Sequence, residues 1–347
     1  MPENVSRAIG SPPPQEQLLL DVRDLKTHIF LRSGVVKAVD GVSFTVGKGE
    51  SVGLVGESGS GKTMTCLSVI RLMSVPTARI VGGETWFDGQ NLMKKTAAEM
   101  REYRGRRIAM IMQDALASLN PTLTVGDQVG EPLRYHDRSM PKPSRIKRVL
   151  DVMRAVRIAK PDERLNEFPH QFSGGMRQRI VAAMGLSTQP GLIIADEPTT
   201  ALDVTIQAQF LKLMRDLQRE NGMAVLWVTH DLGIVAQICD RVNVMYAGRI
   251  VESGTVRRLF KQPLHPYTMG LMASVPVLGA KRKRLHQIKG HPPDLLKLPP
   301  GCAFYDRCPE RMDVCRQSYP PQVSDGSGGH VNCWARTTPS APALGQA

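Results

Sequence analysis

Short apolar runs closed by glycine-rich or acidic residues set the hydrophobic rhythm of this chain. Ser51–Val55 is largely apolar and ends at a glycine cluster, which predicts a buried strand. Met64 to Met73 then carries Met, Leu, Val and Ile at helical spacing, so a helix follows directly. Leu192-Ile193-Ile194-Ala195 precedes Asp196-Glu197, as in a central parallel strand buried on both faces until its C-terminal end. Ala224–Val228 repeats that pattern and is followed by Thr229-His230. From Ser173 to Asp240 strand and helix patterns alternate, which predicts a parallel α/β arrangement. Leu18 to about Gln113 reads instead as mostly β. Between them, Thr122 to about Gln171 turns helical, with Ile146–Ile158 apolar at helical spacing.

The chemistry sits where these elements end. Gly56–Thr63 reads GESGSGKT and matches the phosphate-loop pattern at every required position, with a strand before it and a helix after it. Gly56, Gly59 and Gly61 let the backbone curl, so that N–H groups of the stretch including Glu57, Ser58 and Ser60 can face a phosphate. Lys62 can reach the β- and γ-phosphates, and the Thr63 hydroxyl can take a place on Mg²⁺. Asp196 at a strand end suits the same metal, and Glu197 suits orientation or deprotonation of a water. FSGGMRQR, from Phe172, opens a helix: Ser173, Gly174 and Gly175 offer an N-cap and free N–H groups at the positive end of the dipole. The pentapeptide alone would equally suit an ordinary helix start; the phosphate loop and the paired acids weigh against that.

These motifs, in this order, resemble an ATP-binding cassette, the nucleotide-binding subunit of ABC transporters, over roughly residues 18–260. The resemblance implies an α/β fold: a P-loop NTPase ABC-type core with a β-rich N-terminal subdomain, an inserted helical subdomain (about 122–171) and a small cysteine-containing C-terminal extension. It implies that Gly56–Thr63 is the Walker A loop and that Asp196-Glu197 closes Walker B. Gln113, in IAMIMQDALASLNP, falls at the Q-loop, where a glutamine contacts metal and water; Ala201-Leu202-Asp203 falls at the D-loop, and His230 at the switch histidine. Ser173-Gly174-Gly175 becomes the signature that binds the γ-phosphate of ATP held by a second cassette. Met176 stands where the commonest family form has glutamine. The adenine platform would be an aromatic residue upstream of Walker A. Phe30 is the candidate, with His28 and Ile29 beside it, although an inward-packed strand residue would look the same.

Composition narrows the setting. The chain has 347 residues, a formal net charge of +13, and only 5% aromatic residues. The basic runs Arg101–Arg107 and Lys281–Arg284 lack interleaved aromatics, which argues against single-strand nucleic-acid stacking and leaves a solvated face or an anionic membrane surface. No apolar run approaches the ~18–20 residues of a membrane span, and the N-terminus lacks a signal-peptide pattern. A cytoplasmic chain with flexible tails at 1–17 and 336–347 is therefore expected, any membrane spans coming from another subunit; the resemblance implies a peripheral subunit on the cytoplasmic face of the inner membrane.

The stretch 261–335 carries four of the six cysteines: Cys302, Cys308, Cys315 and Cys333. In a cytosolic chain four thiolates within about thirty residues suit a metal, either zinc or an iron–sulfur cluster, rather than disulfides. The absence of a CxxC knuckle favours the cluster. Cys66 and Cys239 lie in apolar surroundings and read as core. HPYTMGLMASVP, with FSGGMRQR and QDALASLNP, resembles the dipeptide, oligopeptide and nickel importers, although Ala115 stands where proline is more usual. That resemblance implies ATP with Mg²⁺, a 4Fe–4S cluster, a second and often related cassette as heterodimer partner, two membrane permeases and an extracytoplasmic substrate-binding protein. It implies import of peptides, nickel or another small solute. A soluble cassette ATPase acting on nucleic acid is the rival from another class.

Overall fold

The computed structural model describes residues 17–200, 202–275 and 287–337. The basic run Lys281–Arg284, the D-loop alanine Ala201 and nearly all of both expected tails lie outside the described residues. Two sheets form the frame. The smaller is antiparallel, in the order β2 (Gly34–Gly47), β1 (Leu18–Leu31), β4 (Ala78–Phe87), β5 (Gln90–Asn91). Its long strands alternate buried and exposed residues, as expected of a sheet with one face on the core.

The larger sheet has eight strands, in the order β11 (Gln322–Ser324), β12 (His330–Asn332), β10 (Arg249–Thr255), β9 (Arg241–Tyr246), β3 (Ser51–Val55), β8 (Ala224–Thr229), β7 (Leu192–Asp196), β6 (Ile108–Ile111). Strands β9, β3, β8, β7 and β6 pair in parallel. Every residue of β3, β7 and β8 is buried, which accounts for their unbroken apolar runs. Register aligns Val55 with Thr229 and Asp196 with Val228. The glycine loop, the paired acids and His230 therefore leave the same edge of the sheet, at the C-terminal ends of adjacent strands.

The helix after the glycine loop spans Lys62–Val69, shorter than the apolar spacing to Met73 predicts. It ends because Arg71 takes a left-handed backbone, φ 54°. The inserted segment carries helices Val125–His136 and Lys142–Ala155, which bring Val129, Val152 and Met153 to an apolar cluster shared with Ile111, Ile193 and Trp227 of the sheet. Helix Gly174–Leu186 packs on both and on β6.

The C-terminal extension is welded to this frame. Its hairpin β11–β12 pairs antiparallel with β10, Glu252 opposite Val331. Tyr267 and Phe304 share a buried cluster with Val55, Val244 and Tyr246 from the central sheet. The HPY sequence is a helix start: His265 Nδ1 accepts from Tyr267 N–H at 3.0 Å, Pro266 follows it, and helix Pro266–Ser274 begins. Burial and nearby Arg336 hold the His265 ring neutral, its pKa lowered to about 3.

Candidate nucleotide site

The glycine loop is held by contacts that leave no room for side chains at Gly56 and Gly61. A Cβ on Gly61, where φ is 104°, would lie 2.2 Å from the Ala38 carbonyl oxygen, and one on Gly56 would lie 2.2 Å from that of Met245. Lys62 Nζ donates to the carbonyls of Gly56 at 2.8 Å and Glu57 at 3.0 Å. Its pKa is lowered, chiefly by burial. Gly56 to Thr63, Gln113, Glu197, Thr200 and His230 line one cleft of about 840 Å³.

Glu197 is the hub of the polar side. It takes a left-handed backbone, φ 45°, directly after β7, which turns its side chain out of the sheet. Gln113 Nε2 donates to Glu197 Oε2 at 3.3 Å, the Thr200 hydroxyl donates to the same oxygen at 3.1 Å, and His230 Nδ1 lies 3.1 Å from Oε1. Three residues from three loops thus fix one carboxylate beside the phosphate loop. Thr200 was missed by motif reasoning, because a threonine after two acids carries no signal of its own.

Asp196 is buried behind this hub, next to Thr63. Its pKa is raised by desolvation, although the Thr63 hydroxyl opposes the shift. Its Oδ1 is buried and without a hydrogen-bond partner. A desolvated carboxylate oxygen beside a hydroxyl fits a hard cation with oxygen ligands, so Mg²⁺ suits this pair. When bound, that metal would offset phosphate charge.

The adenine side departs from expectation. Ile29, Val36 and Ala38 line the cleft, together with Leu271 and Leu295 from the extension; Phe30 does not. Neighbouring residues on a strand face opposite sides. With Ile29 facing the cleft, Phe30 is half exposed and its ring lies under the Arg79 guanidinium, 5.5 Å away. Phe30, the expected aromatic platform, thus lies outside the cleft lining, and the wall on this side is aliphatic.

Ser173, Gly174, Gly175 and Asp203 stand apart from this cleft. Ser173 caps helix Gly174–Leu186, its hydroxyl accepting from Met176 N–H at 3.4 Å. Asp203 caps helix Val204–Asn221 through Thr205 and Ile206 N–H. A Cβ on Gly174 would meet nothing within 4 Å, so that helix start is open.

In the extension, Cys302, Cys308, Cys315 and Cys333 line one small cavity with His265, Phe304 and Trp334. Burial pushes the Cys302 thiol up to about 12 and Cys308 to about 11. Among the described residues, no three His, Cys, Asp or Glu side chains stand close enough to hold a metal ion. Neither the expected iron–sulfur cluster nor the zinc alternative therefore finds an assembled metal-binding group among the described residues. Cys66 is buried core, and Cys239 packs against apolar clusters.

Strand order, glycine loop, buried Asp196 and the Glu197 hub together define an ATP-binding cassette ATPase. Solved cassettes agree. A dimeric ATP-binding cassette in a post-hydrolysis state with ADP and Pi superposes with TM-score 0.62 at 26% identity, covering 69% of this chain and 99% of that one. The profile described as ABC transporter matches residues 39–200, and that described as oligopeptide/dipeptide transporter, C-terminal region, matches 251–315. A probable peptide ABC transporter ATP-binding protein of Sinorhizobium fredii is 51% identical over 323 residues, 92% of this chain and 96% of that protein. A dipeptide transport ATP-binding protein of Bacillus subtilis is 50% identical over 91% of this chain and 94% of its own length. The chain belongs to the family of ABC transporter ATP-binding subunits, in its peptide-transporter branch, and is an ATPase. Among the described residues, no helix is long and apolar enough to cross a membrane.

Proposed function

We propose that this chain hydrolyses ATP to drive import of di- or oligopeptides, working as a peripheral subunit on the cytoplasmic face of the inner membrane. It would pair with a second, related cassette beneath two permease subunits fed by an extracytoplasmic binding protein. Relatives named for dipeptide and oligopeptide transport, at 43–51% identity over about nine-tenths of the chain, support the peptide reading. The observation that carries the ATPase chemistry is the convergence of Lys62, Gln113, Glu197 and His230 on one cleft. In this reading Lys62 leaves its two loop carbonyls to bind the β- and γ-phosphates, and Thr63 with Asp196 holds Mg²⁺. Glu197, steadied by Gln113, Thr200 and His230, orients and deprotonates the attacking water. The exposed helix start at Ser173-Gly174 supports pairing: these residues do not line this chain's own nucleotide cleft, and N–H groups at a helix start suit the γ-phosphate on a partner.

The four cysteines are assigned to a 4Fe–4S cluster that holds the extension together. The four thiols facing one cavity, without a CxxC knuckle in the sequence, support this choice. Protein purified without air should be brown, with visible cluster absorbance; colourless protein with stoichiometric zinc would overturn the assignment. The transport reading is tested by reconstituting the subunit with its permeases in vesicles and measuring ATP-dependent peptide uptake. ATP hydrolysis that no di- or oligopeptide stimulates, with uptake of another solute instead, would replace it.

A further inference from the structure

The extension reaches back to the phosphate loop at one residue, Glu57. Arg307 forms a two-pronged ion pair with its carboxylate, Nη1 to Oε2 at 2.6 Å and Nη2 to Oε1 at 2.9 Å. Tyr267 accepts the Glu57 backbone N–H on its hydroxyl at 2.8 Å. The Glu57 carbonyl meanwhile accepts from Lys62. All three polar parts of this residue are thus engaged, two of them by the extension.

The Arg307 side chain is only 5% exposed. Its Nε donates to the Lys289 carbonyl at 3.2 Å, its Nη1 to the Tyr246 hydroxyl at 3.3 Å, and its guanidinium lies over Tyr246 and Phe304. The short turn carrying it is closed by backbone bonds from Tyr305 N–H to the Cys302 carbonyl and from Cys308 N–H to that of Tyr305. The arginine is therefore fixed before any nucleotide arrives.

A carboxylate in a loop that must hold a triphosphate is electrostatically adverse, because like charges at such distances repel strongly away from bulk water. We propose that Arg307 is a positioning residue for ATP binding: it neutralises Glu57 and holds the loop's second residue away from the phosphates. The catalytic cassette would then be incomplete without its extension. The proposal rests on Gly56–Thr63 being the phosphate loop.

The test uses the full-length subunit and titrates MgATP. Arg307→Ala should weaken ATP binding about tenfold, while kcat at saturating ATP changes less than about threefold, since an exposed carboxylate opposes the ground-state phosphates. Combining it with Glu57→Gln should restore affinity to within about threefold of Glu57→Gln alone, because the uncompensated charge is gone. Arg307→Gln, closer in volume, is measured alongside, so that a folding failure of the alanine variant does not end the test. Rescue by Glu57→Gln supports the proposal. Equal loss of affinity with either residue at 57, or no loss at all, overturns it. Lys62→Ala is the control: if it binds ATP normally, the loop assignment fails, whereas loss there with normal Arg307 variants sinks only the present inference.

Discussion

Around Gly56–Thr63 the protein places its groups through backbone, and in the extension it places them through side chains. The phosphate loop follows from a buried strand, two glycines (Gly56 and Gly61) whose Cβ would collide with backbone, and a helix start. The extension beyond residue 286 has short helical turns and a small hairpin, and it is held by charge and aromatic contacts. Glu252, fully buried in β10, accepts from Leu264 and His265 N–H at 2.9 Å each and pairs with Arg258. Arg336 bonds the Leu264 carbonyl and Glu310. Backbone-built sites tolerate change at most side chains and fail at a few chemical ones. Side-chain-built regions fail at many single positions, and they respond to pH.

The sharpest way to test the backbone half is to alter chemistry without shape. Glu197→Gln keeps the acceptor and the volume but cannot take a proton. Turnover should fall by roughly 10²–10⁴-fold while ATP binding persists. Single-turnover hydrolysis with equilibrium nucleotide titration checks both, and near-normal hydrolysis would remove Glu197 from the mechanism.

The side-chain half should break at Glu252. Glu252→Ala strips two backbone N–H groups of their acceptor and removes one partner of the half-buried Arg258, which keeps Asp325, and should destabilise the fold by about 2–4 kcal/mol. Denaturant unfolding followed through the Trp334 environment, close to the cysteine cavity, would register it. A loss below about 1 kcal/mol would show that the extension does not depend on this acid.

This contrast also governs what could be read beforehand. The strands β3, β7 and β8, the glycine loop and the acids were legible because local sequence dictates them: period, glycine and strand end coincide. The core placement of Cys66 followed equally from its apolar flanks. Tyr267, Arg307, Leu271 and Leu295 were not legible, because each acts on residues far along the chain, and Arg307 meets Glu57 across 250 positions. Thr200, only three residues from Glu197, was missed because a threonine after two acids carries no signal of its own. The HPY sequence served only as a mark of resemblance; that it starts a helix, and that the Tyr267 hydroxyl reaches the phosphate loop, came from the structure. Phe30 failed for a different reason. Strand composition allowed either phase, and a one-residue step exchanged the faces.

Acid should loosen the extension before the nucleotide core. The His265 ring is kept neutral in the folded protein, with a pKa near 3 against an ordinary 6.5, first by burial and then by Arg336. Below pH 6.5 the unfolded chain takes up a proton that the folded ring refuses. Stability is therefore complete above that pH and falls as acid is added. At pH 5 the loss from this one group is about 2 kcal/mol. His265→Asn keeps a capping oxygen but cannot titrate, so its unfolding midpoint should depend less steeply on pH between 4 and 6.5. An unchanged slope would place the acid response elsewhere.

The smallest effect expected is at Phe30, and it discriminates between the two descriptions of the adenine end. An aromatic platform removed by Phe30→Ala would cost about 1–3 kcal/mol of nucleotide affinity, by the scale of base–aromatic stacking. The geometry places the ring under Arg79 and gives the cleft wall to Ile29, Val36, Leu271 and Leu295. Phe30→Ala should then change ATP affinity by less than about 0.5 kcal/mol, as for a surface substitution. Leu295→Ala, which removes apolar surface supplied by the extension, should cost more than Phe30→Ala. Competition between ATP and bare triphosphate separates base from phosphate contributions. If Phe30→Ala weakens ATP but not triphosphate, the strand phase at the cleft must change on nucleotide binding and the aliphatic wall is not the adenine site.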